Sequence, residues 1–201
     1  LRNELHRMLE MARQNVDTSF KAVLDLDVAP LERVENRELY IDYLNREISR
    51  HISRLIAMET NERGSTIISS FFAISGNIER IGDHADNLAG YTRLLAEKDI
   101  ALSQYAREEL RQMRDVSIRA VSALLSGEAR DKDWLSHVSD LEQKIDDMTT
   151  NFRREQLVRM RDGTCSDEAC ILYSELLTDF ERIGDHVLNI AQELAKTRMA
   201  L

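Results

Sequence analysis

Glu79-Arg80-Ile81-Gly82-Asp83-His84-Ala85-Asp86-Asn87-Leu88-Ala89-Gly90 has a second copy, Glu181-Arg182-Ile183-Gly184-Asp185-His186-Val187-Leu188-Asn189-Ile190-Ala191-Gln192. Eight of the twelve positions are identical and the copies lie 102 residues apart in a chain of 201, which marks a duplicated half. Both copies sit in helical apolar periodicity without proline. On a helix Glu79, Asp83 and Asn87 stack at i, i+4 and i+8, as do Glu181, Asp185 and Asn189. Stacked carboxylates repel, and a glycine inside a helix (Gly82, Gly184) costs about 1 kcal/mol against alanine. Two locally unfavourable choices kept in both copies indicate a site or a close packing contact. The absent Cβ is expected to let another backbone or a bound ion approach the carboxylates.

The rest of the chain is apolar to 43%, charged to 31% and aromatic to only 5%, with one proline and seven glycines. This is a helical composition. The net charge of −9 opposes nucleic acid and anionic lipid as broad partners and favours cations. No apolar run reaches the roughly 18 residues of a membrane span, and no signal peptide is present. Cys165 and Cys170 form no disulfide framework, so reduced thiols in an intracellular protein are expected.

Apolar steps of three and four predict six helices. The first runs over about 1–26, closed by Asp25, Asp27 and Pro30. The second spans about 31–58, with Leu31, Val34, Ile41, Ile48, Ile52 and Leu55 on a stripe interrupted by Glu38 and Asn45. A polar turn at 60–65, with Gly64 as breaker and Ser65 or Thr66 as N-cap, precedes the third helix, about 67–97. Residues 98–103 join the halves. The fourth helix covers about 104–125 and stops at Gly127. The fifth, about 132–161, carries the seam Trp134, Val138, Leu141, Ile145, Met148 and Phe152. The sixth begins after an N-cap at Ser166, with Asp167 and Glu168 suiting its N-terminus. The expected architecture is all-α: two tandem antiparallel three-helix bundles, 1–98 and 99–201, related by an approximate twofold.

Helices two and three of each half each bring one Glu-x-x-x-Asp pair. Glu38, Asp42, Glu79 and Asp83 should meet in the first half, and Glu142, Asp146, Glu181 and Asp185 in the second. Four carboxylates in a half-dry groove stay ionised only with a counter-charge: protons, arginines or a metal. Arg80 and Arg182 point about 100° away from the neighbouring Glu, toward solvent or a partner. A metal ion is the economical remedy. Oxygen ligands suit magnesium, manganese or calcium, and iron or zinc fit if His84 or His186 joins. One such pair alone is usually a solvated helix face; four at matching places argue for a site. His84, Asn87, His186 and Asn189 are candidates for outer ligands or orienting groups, or else for interhelical hydrogen bonds. His6, His51 and His137 have no repeat partner and should lie on the surface.

The E-R-x-G-D-x-x-x-N signature at 79–87 and 181–189, with the E-x-x-x-D pairs at Glu38/Asp42 and Glu142/Asp146, resembles the PhoU domain over essentially the whole chain. The resemblance implies metal ions or multinuclear clusters on the acidic motifs, iron and zinc among them, together with control of phosphate uptake and a homodimer. Free-standing members carry a Q-P-x-A-x-D-L-R segment that is absent from residues 58–66. The approach Arg161–Cys170 is similar to the cytoplasmic tail of bacterial sodium/phosphate cotransporters, and the chain opens on Leu1 rather than Met. The first expectation is therefore the regulatory domain of such a cotransporter, on the cytoplasmic side of the inner membrane with the transmembrane part as partner. The alternatives are a free-standing regulator that partners a sensor kinase and an ABC phosphate transporter, or a metal-free scaffold. An enzyme is not expected: di-metal carboxylate oxidases use Glu-x-x-His at i,i+3, where Gly82 and Gly184 stand.

Overall fold

Six α-helices and no strand make up the computed structural model, which describes residues 1–126 and 132–197. They are α1 (Arg2–Asp25), α2 (Leu31–Ile56), α3 (Glu62–Glu97), α4 (Gln104–Leu125), α5 (Lys132–Arg161) and α6 (Asp167–Thr197). The stop expected at Gly127 lies outside the described residues.

The apolar stripes choose which faces turn inward. Leu5, Met8, Leu9, Ala12, Val16, Phe20 and Val23 of α1 are all buried, as are Leu31, Val34, Ile41, Ile48 and Ile52 of α2. Side-chain contacts show antiparallel neighbours. Between α1 and α2, Arg7 meets Tyr40 while Asn15 meets Val34. Between α2 and α3, Asn45 meets Ser75 while Glu35 meets Arg93. Between α4 and α5, Trp134 donates to the Ala123 carbonyl at 2.9 Å while Arg159 meets Glu109. α3 and α6 pack antiparallel along the join between the halves, and α1 packs on α4. α2 and α5 are outermost and do not touch. One continuous apolar core takes residues from both halves.

Helix ends correct three expectations. α1 closes on Leu26, which adopts the left-handed conformation (φ 51°) while the Asp27 amide returns to the Ala22 carbonyl at 3.1 Å. This satisfies a terminal carbonyl that Asp25 and Pro30 do not reach. α3 starts five residues earlier than expected, because Asn61 is its N-cap and accepts from the Arg63 amide at 2.9 Å. Gly64 thus lies inside the first turn and breaks nothing, one glycine being tolerated there at modest cost. The two cysteines are paired rather than free, with Cα atoms 6.4 Å apart. Ser166 caps α6 between them and folds Cys165 back over its first turn, where Cys170 lies.

Candidate metal centre

Glycine sets the distance between the acidic helices. A Cβ on Gly82 would lie 3.4 Å from Ile41 Cδ1, and one on Gly184 would lie 3.0 Å from Ile145 Cγ2. Ile41 stands between Glu38 and Asp42, and Ile145 between Glu142 and Asp146. In each half an isoleucine of the outer helix sinks onto the glycine of the inner one and draws the two carboxylate pairs together. The expected visitor, a backbone or an ion, is in fact a β-branched side chain.

In the first half this brings Glu38 onto Asp83. Burial, then the charges of Asp83, Asp42 and Asp86, raise the Glu38 carboxyl to about 7, and the two side chains share a hydrogen bond. Burial and Asp83 also raise Glu79; burial raises Asp83 against the opposing pull of His84. Asp42 is held by Arg46 at 2.6 Å. Asp86 belongs to this group although it was not among the expected ligands. Its carboxyl is raised by burial and by Glu35, and its Oδ1 is covered without a hydrogen-bond partner. Repeat logic passes over it because Leu188 stands at the matching place.

The second half is tighter. Glu142, Asp146 and Asp185 each offer a carboxylate oxygen within 4.8 Å of the others, the one such trio among the described residues. All three are half-buried, and Asp146 Oδ1 is covered and unpartnered. Burial and the neighbouring acids raise both Glu142 and Asp146. Glu181 does not join: Arg153 of α5 takes it at 3.0 Å, so an arginine neutralises the fourth charge. Arg182 lies largely exposed, 3.4 Å from Asp185. Half-buried carboxylate oxygens gathered this closely, one of them without a partner, fit a hard cation.

His84, Asn87, His186 and Asn189 reach across the join between the halves and make the interhelical hydrogen bonds that were one of the two expectations for them. His84 Nδ1 and Asn87 Nδ2 donate to Asp179 at 2.6 and 3.0 Å. His186 Nδ1 and Asn189 Nδ2 donate to Asn77 at 2.9 and 3.3 Å. Asn77 and Asp179 are themselves 102 residues apart, so the contacts are reciprocal across the pseudo-twofold. The two imidazoles stack there at 5.4 Å. Burial, then His84, Arg80 and Arg182, lower His186 to about 4, which keeps it neutral. The geometry follows from the helix: His is one residue, or about 100°, beyond Asp and so leaves the carboxylate face. The trio that the structure gathers offers carboxylate oxygens only, which suits magnesium, manganese or calcium better than zinc. His6, His51 and His137 are exposed, as expected.

Paired three-helix repeats that meet through α3 and α6 and carry acids in the grooves under α2 and α5 define a class of duplicated helical proteins. The PhoU domain family matches twice, over residues 5–92 and 106–194, and the chain belongs to this family. A phosphate-specific transport system accessory protein PhoU homolog of Xylella fastidiosa is 30% identical over 196 residues, covering 95% of this chain and 79% of its own. PhoU homolog 1 of Thermotoga maritima is 26% identical, covering 96% and 84%. The crystal structure of PhoU from Pseudomonas aeruginosa superposes with a TM-score of 0.90 at 23% identity, covering 98% of this chain and 94% of that one. PhoU from Streptococcus pneumoniae gives 0.85 at 19% identity.

Proposed function

We propose that this chain is a PhoU-type regulatory accessory protein of a phosphate transport system and that it binds metal through its acidic grooves. The family and the relatives support the first half of this reading. Those relatives are named as accessory proteins and match over nearly the whole chain, which moves the assignment from the cotransporter domain expected first to the free-standing alternative. The Glu142–Asp146–Asp185 trio supports the second half. Bound there, a divalent cation would supply the positive charge the carboxylates lack and clamp α5 to α6. The trio of the second repeat is the stronger candidate, with Glu38, Asp83 and Asp86 as donors in the first. A homodimer and a membrane-embedded transporter partner remain part of the proposal, and catalysis is not.

The test has two arms. Manganese and magnesium are titrated into chelator-treated protein by calorimetry, with Asp146→Asn and Asp185→Asn as variants. Saturable binding weakened at least tenfold by either variant supports the site. Unaltered binding, or none, removes the metal and leaves the metal-free scaffold. Separately, deletion of the gene should alter phosphate uptake through a phosphate-specific transport system; normal uptake and regulation would overturn the transport reading whatever the metal result.

A further inference from the structure

Half of the arginines among the described residues sit against a carboxylate, among them Arg13 on Glu10, Arg46 on Asp42, Arg114 on Asp17, Arg153 on Glu181 and Arg159 on Glu109. Two of the others stand together. Arg33 and Arg37, one helical turn apart on α2, point into a groove of about 520 Å³ between α1 and the first turns of α2, lined also by Met11, Asn36 and Tyr40. Neither is within ion-pair distance of a carboxylate among the described residues. Arg37 Nη1 is covered and has no acceptor. The chain carries 36 acids against 27 bases, yet no carboxylate among the described residues pairs with these two adjacent guanidinium groups. A covered N–H donor without an acceptor costs about 1–3 kcal/mol, more for a charged group, which an arriving anion would recover.

We propose that this groove binds a phosphate group, as inorganic phosphate or as a phosphate monoester, on the guanidinium groups of Arg33 and Arg37. A planar carboxylate is satisfied by one guanidinium fork, whereas a tetrahedral oxyanion accepts from two forks on different sides. Phosphate near pH 7 carries about −1.5 to −2 charges, which matches two unpaired cations. The Asn36 amide can donate from the same turn. Arg7 stands at the rim, its guanidinium 5.3 Å over the Tyr40 ring and bonded to the Tyr40 hydroxyl at 2.8 Å. The groove exceeds a single phosphate, and the Tyr40 and Met11 walls give the organic part of a monoester an apolar surface. Glu32 also lines the groove, and its charge selects for ligands held close to the two arginines. The groove shares α2 with the first candidate metal group, Arg37 being the neighbour of Glu38, but it opens between α1 and α2, whereas the metal groups lie between α2 and α3 and between α5 and α6.

Calorimetric titration of the full chain with inorganic phosphate, and separately with glucose 6-phosphate, tests this at constant ionic strength in the presence of chelator. The chelator removes metal-bound phosphate as a source of signal, so the outcome is independent of the metal reading. Saturable binding to wild type, weakened tenfold or more by Arg37→Gln and by Arg33→Gln and partly kept by Arg37→Lys, supports the proposal. Stronger binding of the ester assigns the organic phosphate as the ligand, and equal binding assigns the free ion. No saturable heat up to about 10 mM of either probe, or binding unchanged in Arg33→Gln/Arg37→Gln, overturns it. Thermal unfolding of each variant establishes that the fold is retained.

Discussion

At the scale of single residues, the two glycines of the repeated stretch are chemically equal but spatially different. Alanine at 82 meets Ile41 at ordinary contact distance, so the helix-propensity gain of about 1 kcal/mol should dominate and leave the protein as stable or more stable. Alanine at 184 would press on Ile145 Cγ2 at 3.0 Å and Cδ1 at 3.1 Å, and overpacking of this kind costs about 1–3 kcal/mol. Urea midpoints should therefore move in opposite directions for Gly82→Ala and Gly184→Ala; equal shifts would show that the Ile145 contact gives way freely. Glu38 makes a second prediction. A carboxyl raised from 4.5 to about 7 by folding holds its proton more tightly folded than unfolded. Its stabilising share is thus complete below about pH 4.5 and is lost as pH rises through about 7. His186, lowered from 6.5 to about 4, acts oppositely: acidification below about 6.5 protonates the unfolded chain first and removes stability. Only a comparison within the pair wild type and Glu38→Gln separates the two. In chelator, Glu38→Gln should exceed wild type by about 1 kcal/mol at pH 8, a value already reduced for partial exposure. The gap should close by about pH 5, and a pH-independent gap would refute the assignment.

At the scale of elements, α4, α5 and α6 of the second half are tied by a buried polar knot with no counterpart in the apolar pattern. Arg159 of α5 donates to both oxygens of Glu109 at 2.8 Å, and the Tyr173 hydroxyl of α6 donates to the same carboxylate. Burial and Glu109 push the Tyr173 phenol well above its usual range. Removing one member of a buried pair strands the others, at about 3–5 kcal/mol. Glu109→Ala should lower Tm by roughly 10 °C, since 1 kcal/mol moves a domain of this size by about 2–4 °C. A shift under about 3 °C would mean that water replaces the carboxylate without loss. The knot was not legible in sequence because Glu109 and Arg159 each look like members of a solvated charged face. Their meeting depends on how α4 crosses α5. The helices themselves were legible: α4 and α5 have the expected ranges, and the error at the start of α3 came from preferring Ser65 or Thr66 over Asn61, all three of them competent caps.

At the scale of the whole molecule, the halves do not stand apart. Their core is continuous, and the His84–Asp179 and His186–Asn77 contacts lock α3 to α6 from both sides. Fragments 1–98 and 99–201 expressed singly should each unfold without a cooperative transition, and mixing them should restore one; cooperative unfolding of either fragment alone would refute this. Sequence by itself determined the helices, the duplication and the acidic faces, because these depend on periodicity and on spacing within one helix, which the chain carries locally. Tertiary structure alone decided which acids meet. It took Glu181 away to Arg153, added Asp86, and turned both histidines onto the join, because each of those outcomes depends on the rotation of one helix against another. It also left Arg33 and Arg37 facing a groove in which no carboxylate among the described residues pairs with them. In a sequence so rich in acids, only the packed arrangement reveals that none among the described residues reaches these two.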